Sequence, residues 1–192
     1  VNVGSSNPLQ FFSFVSGSGI TRTVKLEKSA WPFRNDFGTA FSFRAEDFAE
    51  TSSAATIFSA LSEDGDGIEI SLVPLHRKTK NHASAGVLAV SMIEKSKCVQ
   101  TIQVNKCPLH SRVWYHVAVR HTRSRLKGVF ALSSREQLTV LIDGKTMLSD
   151  SIHFPQIHGD LSTSKALTLT FGKNFDGQTG ALYVFHDNVS DA

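Results

Sequence analysis

The stretch from Lys165 to Asp187 constrains this chain more than any other. Leu167, Leu169 and Phe171 fall on one side of an extended segment, and Ala166, Thr168 and Thr170 fall on the other. That period of two belongs to a half-buried β-strand. Gly172 breaks the run, and Asn174-Phe175-Asp176-Gly177 supplies turn chemistry. Alternation resumes from Gly180 to His186, now with apolar groups on both faces: Tyr183 and Phe185 on one, Leu182 and Val184 on the other. A strand patterned this way is expected to be central and covered on both sides.

The same period recurs along the chain. Pro8 to Val15, Ile20 to Leu26, Phe37 to Arg44 and Thr56 to Leu61 read as strands, with Ile20, Val24 and Leu26 sharing a face. Glu63-Asp64-Gly65-Asp66-Gly67 reads as a hairpin turn, because Asp-Gly pairs tolerate positive φ. Ile68 to Val73 alternates most cleanly, with Ile68, Ile70 and Leu72 facing in and Glu69 and Ser71 facing out. Val87 to Ile93, Cys98 to Val104, Val113 to His121, Gln137 to Ile142 and Lys145 to Leu148 follow, the last two joined by Asp143-Gly144. Between them, Trp31-Pro32-Phe33 shows no alternation, and Ala45 to Ser53 reads as a loop or one helical turn. Ile152 to Ile157, with Pro155, reads as an edge or a connection. No stretch carries a 3.6-residue apolar stripe. Many short strands punctuated by turns predict an all-β sandwich or barrel.

Length and charge bound the rest. The 192 residues suit one domain, residues 1–192, and the start at Val1 suggests a piece of a longer chain. Of the aromatics, 14 are Phe against 2 Trp and 2 Tyr, which points to packing. A formal charge of +3 is too weak to argue for nucleic acid, and the basic runs lack the interleaved aromatics that stack on bases. Cys98 and Cys107 are too few for a disulfide framework and are expected to be buried thiols rather than a bridge. No export signal or apolar run of membrane-spanning length is visible, so the Asn188-Val189-Ser190 sequon carries little weight.

Candidate chemistry is sparse. Asp64, Asp66, Asp143 and Asp176 are the loop acids that would hold a cation in a sandwich, but each is also a turn former, and no EF-hand spacing is present. A glycosidase needs two carboxylates flanking a sugar, and no strand offers acids at alternate positions. His116, two residues after Trp114, is expected to be a hydrogen-bonded packing residue rather than a base. Neither cofactor nor catalysis is expected.

The basic stretches are the strongest functional signal in the residues themselves. His76-Arg77-Lys78-Thr79-Lys80-Asn81-His82 lies between strands, and Arg120-His121-Thr122-Arg123-Ser124-Arg125-Leu126-Lys127 runs off the end of another. Neither holds an acid. Arg77, Lys78, Lys80, Arg120, Arg123, Arg125 and Lys127 are therefore the expected contacts for phosphoinositide, an acidic protein or a sulfated glycan, if the two stretches converge. Otherwise they are solvated loops.

Four stretches together resemble one family. These are Trp31-Pro32-Phe33 leading into Phe37 to Phe43; Trp114-Tyr115-His116 with Ala118; Leu141-Ile142-Asp143-Gly144; and Phe171-Gly172 with Asp176 to Phe185. In this order and spacing they resemble the concanavalin A-like (laminin-G-like) jelly-roll domain of BEACH-domain proteins, the neurobeachin relatives. The resemblance covers about Phe11 to Val189 and implies an all-β, antiparallel two-sheet β-sandwich, a concanavalin A-like jelly roll, that serves as a non-catalytic module of a large cytoplasmic vesicle-trafficking scaffold, peripheral on membranes. Such a module would bind protein partners or other domains of its own chain, or acidic lipid. It implies Trp114, Phe171 and Phe185 as core anchors and Gly144, Gly172 and Gly177 as turns. The alternative is a lectin-like carbohydrate-binding domain with glycan on the concave sheet or its rim loops. Tyr183 and Trp114 are non-Phe aromatics on its expected strands, and both are expected to be buried. An outward-facing aromatic beside Asp and Asn would favour the lectin; a flat basic patch would favour the interaction module.

Overall fold

The computed structural model describes residues 10–15, 19–26, 36–48, 54–75, 85–123, 136–153 and 165–185. Their regular structure is all β, in the order β1 (Phe12–Phe14), β2 (Ile20–Leu26), β3 (Phe37–Ala45), β4 (Ala55–Ser62), β5 (Gly67–Pro74), β6 (Ala85–Glu94) and β7 (Lys97–Gln103). There follow β8 (Leu109–His110), β9 (Trp114–Arg123), β10 (Glu136–Ile142), β11 (Lys145–Ser151), β12 (Lys165–Lys173) and β13 (Gly177–Phe185). They build two antiparallel sheets. One has six strands in the order β1-β13-β3-β9-β10-β11; the other has seven, in the order β2-β12-β4-β5-β6-β7, with β8 on β6. Of the sandwich or barrel expected from the alternation it is the sandwich, in the two-sheet antiparallel arrangement that the resemblance implied.

Alternation explains the core. Phe41 and Phe43 of β3, Tyr115, Val117 and Val119 of β9, and Leu138, Val140 and Ile142 of β10 point inward from the six-stranded sheet. They meet Phe58, Ile68, Ile70, Leu72, Leu88, Val90 and Met92 from the other. Phe175, between the last two strands, is 1% exposed and meets Phe14 and Phe43 at ring-centroid distances of 6.2 and 6.5 Å. The phenylalanine-rich composition is thus spent largely on inter-sheet packing. His121 also faces inward, lying flat against Phe37 at 6.0 Å, with Nε2 3.1 Å from the Ile152 carbonyl oxygen.

The turns follow their residues. Asp143 and Gly144 take φ of 50° and 73° between β10 and β11, the left-handed pair that closes a two-residue hairpin. Asp66 is fully buried: its amide donates to Ser62 Oγ at 3.0 Å, and its Oδ1 accepts from the Lys95 amide at 2.8 Å. That carboxylate ties the β4–β5 turn to the β6–β7 turn.

Several expectations fail in instructive ways. β13 is not central: on its outer side β1 pairs only from Gly177 to Thr179, and its last residues have no described strand beyond them. Tyr183 and Phe185 accordingly stand 59% and 39% exposed rather than in the core. Trp114 faces outward and is half-buried against Phe11. Ser71 points outward from β5 yet is buried, because β4 and β6 flank it. Both cysteines are free, but Cys98 is exposed on edge strand β7 and Cys107 only partly buried. The Trp31-Pro32-Phe33 motif, residues 49–53, Pro155 and the sequon lie outside the described residues, as do the side chains of Val24 and Leu26.

Candidate functional site

The outward face of the six-stranded sheet can be laid out from its registers. Tyr183 stands opposite Ala40, Ala40 opposite Ala118, and Ala118 opposite Leu141. One step toward the β10–β11 turn, Ser42 stands opposite His116. One step the other way, the row reads Phe185, Gly38, Arg120, Thr139. A last row holds Gln178, Arg44 and Trp114.

Small residues in the middle make a trough. Ala40, Ala118 and Gly38 leave the centre of β3 and β9 low, while Tyr183 and Leu141 rise on either side, three strand spacings or about 14 Å apart. The resulting groove holds about 270 Å³ and is lined by Ala40, Ser42, His116, Ala118, Leu141, Gly144, Ala181 and Tyr183, among others. Along one wall the rings of Tyr183 and Phe185 lie nearly parallel, 6.4 Å apart at 16°. They form a flat aromatic shelf along β13. The Phe185 ring leans over Gly38, where a β-carbon would sit 3.7 Å from it.

Polar groups enter the groove in fixed positions. Ser42 Oγ and His116 Nδ1 are 2.6 Å apart on the floor. The His116 amide donates to Asp143 Oδ1 at 2.9 Å, and the Asp143 amide returns to the His116 carbonyl at 2.8 Å, so the hairpin turn is fastened to the groove end. At the same end Arg44 reaches Gln178 Oε1 at 3.2 Å and Glu46 at 3.1 Å, and Arg112 approaches Glu46 at 3.6 Å. His116 is thus hydrogen-bonded, as expected of it, but it lines an open groove rather than a packed interior. Beneath this end, burial pushes the Cys107 thiol up, with the Asp143 charge adding to it. Burial likewise raises the Tyr115 phenol, although the hydrogen bond from the His110 amide, at 2.8 Å, opposes this.

Of the basic residues expected to make contacts, Arg120 is described: it is half-buried on the groove face. Arg77, Lys78, Lys80, Arg125 and Lys127 lie outside the described residues, and so does the side chain of Arg123. The strands that carry the two stretches do settle where each begins. Pro74 pairs with Gly86, and a β-carbon on Gly86 would strike Phe48, three residues beyond the end of β3. β9 starts beside that same end, where Trp114 pairs with Arg44, and runs ten residues away from it to Arg123. The described strands that lead into the two basic stretches therefore end at opposite ends of the sandwich, about 30 Å apart.

The four loop acids are also dispersed. Asp64 and Asp66 sit in the β4–β5 turn, Asp143 in the β10–β11 turn and Asp176 between β12 and β13. Among the described residues no group of three or more His, Cys, Asp and Glu could hold a metal ion. Sequence reasoning missed the groove because its floor is alanine, serine and glycine, residues with no chemical signature. The available signal was the aromatic pair Tyr183 and Phe185 at alternate positions beside a glycine-rich edge.

No family model matches the chain, and no curated protein matches it. Solved structures do. The chain is similar to the Emp46p carbohydrate recognition domain, with a TM-score of 0.51 and 10% identity over 93% of this chain and 84% of that one. It is similar to alginate lyase Aly36B in complex with alginate tetrasaccharide, with a TM-score of 0.51 and 10% identity over 94% and 81%. Leech intramolecular trans-sialidase gives 0.50 and 14% identity over 94% of this chain but 26% of that one. At these identities the likeness shows the fold, a concanavalin A-like jelly roll, and none of these structures connects the chain to BEACH-domain proteins.

Proposed function

We propose that this chain is a carbohydrate-binding module and that glycan lies in the groove on the outward face of the six-stranded sheet. The observation that carries this is the exposed Tyr183–Phe185 shelf beside a trough floored by small residues. A sugar ring presents a face of C–H groups, and an aromatic face carries the negative quadrupole that attracts them. An exposed, paired aromatic surface of this kind otherwise costs solvation, so its position beside a groove argues for a ligand. The Ser42–His116 pair, the Asp143 carboxylate and Arg120 supply the polar contacts that fix a hydroxylated ligand. That the fold is shared with a carbohydrate recognition domain and with an alginate-bound lyase supports the reading by analogy alone.

Binding without catalysis fits the groove better than turnover. Among the described residues no two carboxylates face each other across it, which glycoside hydrolysis by an acid and a nucleophile or base would need. The test is Tyr183→Ala on a glycan array and by titration calorimetry. Because Tyr183 is exposed, the variant keeps its fold by circular dichroism but loses at least about ten-fold in affinity. Unchanged affinity would refute the site.

The motif resemblance suggests a setting, which we propose as part of the same reading. Residues 1–192 would form one domain of a BEACH-type trafficking scaffold, cytoplasmic and peripheral on membranes, with protein partners or lipid engaged elsewhere on it. An antibody against this domain should then detect a polypeptide far larger than 21.0 kDa in source cells. A band near that mass would contradict the scaffold.

A further inference from the structure

The groove offers few polar groups, and they are gathered in one place. Among the described residues that line it there is no acid, lysine or arginine, and only Ser42, His116 and Tyr183 carry polar side-chain atoms. Ala40, Ala118 and Leu141 stand on successive strands of the row that begins at Tyr183. A sugar hydroxyl set against this row would leave water and find no side-chain partner, which weakens binding. A methyl group set there would strengthen it by leaving water for an apolar surface.

The polar pair occupies the adjoining row, two residues along β3 and β9 from Ala40 and Ala118. The 2.6 Å contact between Ser42 Oγ and His116 Nδ1 uses one proton, and neither side chain makes a further hydrogen bond among the described residues. If the serine hydroxyl donates, Nε2–H remains to donate and Oγ remains to accept. If Nδ1–H donates, the serine hydroxyl remains to donate and Nε2 remains to accept. With either tautomer the pair keeps one donor and one acceptor, the complement of a single amide.

Resting on the carbohydrate reading above, we propose that the ligand is an N-acetylated amino sugar. Its ring stacks on Tyr183, its acetamido methyl lies over Ala40 and Ala118, and its amide meets Ser42 and His116. An acetamido group joins a methyl to one N–H and one C=O, so its two halves match the two rows. A plain hexose places a hydroxyl where the acetamido group would sit.

The experiment is titration calorimetry of the whole chain with two matched pairs of trisaccharides. One pair sets N-acetylglucosamine against glucose and the other N-acetylgalactosamine against galactose, with the same linkage within each pair. A buried methyl is worth about four-fold in affinity and a hydrogen bond about two- to ten-fold, so in at least one pair the acetylated member should bind about ten-fold or more tightly. Ala118→Leu, which fills the floor, and Ser42→Ala, which removes the hydroxyl, should each narrow that preference. A preference that neither variant touches overturns the placement. Acetylated members that bind no more tightly than the plain ones overturn the acetamido assignment but leave the carbohydrate site standing. Binding of none of the four overturns both readings.

Discussion

Tyr115 shows how one residue couples the core to the groove end. Its ring packs on Phe43 at 5.7 Å, and its hydroxyl oxygen accepts the His110 amide at 2.8 Å. Burial raises the phenol above its ordinary 10.0, and nearby Cys107, itself raised by burial above 9.0, adds to the effect. The sign of the linkage follows. In the unfolded chain both groups lose their protons at lower pH than in the folded one, so above pH 9 the unfolded state binds fewer protons. Stability is therefore full below about pH 9 and falls as pH rises past 9.0 for Cys107 and past 10.0 for Tyr115. Urea unfolding across pH 7 to 11 should show this decline. Tyr115→Phe should flatten its upper part while costing about 0.5–1.5 kcal/mol at pH 7, from the lost hydrogen bond. An unchanged alkaline decline in that variant would contradict the assignment. Reading the sequence placed Tyr115 on a strand but had no means of seeing its burial or its partner, because both depend on neighbours distant in sequence.

The passage from β12 to β13 is the element on which the fold turns. Gly172 takes a φ of 65°, and a β-carbon there would lie 2.3 Å from Phe14 Cδ1. Alanine at this position must both adopt a left-handed conformation, costing about 1–2 kcal/mol, and displace a core ring. Gly144 has a similar φ of 73° but nothing within 4 Å. Gly172→Ala should thus destabilise by about 2 kcal/mol or more, and Gly144→Ala by about 1 kcal/mol. Denaturant unfolding of the pair separates packing from backbone strain, and equal losses would refute the packing part. This element also marks the limit of legibility. Alternation located nearly every strand: β2 falls at Ile20–Leu26, as expected, and β3, β4, β5 and β10 within a residue or so at either end. It missed β8, whose two residues are too few to alternate. It placed β13 centrally because apolar residues on both faces have two causes. One is burial on both sides; the other is an exposed aromatic surface kept for a ligand, and periodicity does not separate them.

At the scale of the molecule, two sheets bury one shared core, and the six-stranded sheet carries on its outward face a groove with an aromatic wall. Fold class was legible because the hydrophobic pattern is local. The site was not, because it is made by cross-strand registers that join Tyr183 to Ala40, Ala118 and Leu141 over long separations. The basic stretches drew attention first since charge runs are visible in sequence, yet their strands diverge to opposite ends, and Arg120 alone among those residues is described on the groove face. The most direct measurement is a backbone-amide NMR titration of the isotopically labelled chain with an oligosaccharide selected on the glycan array. Perturbed amides should cluster at Gly38, Ala40, Ser42, His116, Ala118, Arg120 and Tyr183, on three adjacent strands of one face. Perturbations confined to the seven-stranded sheet or to the loops would contradict the account.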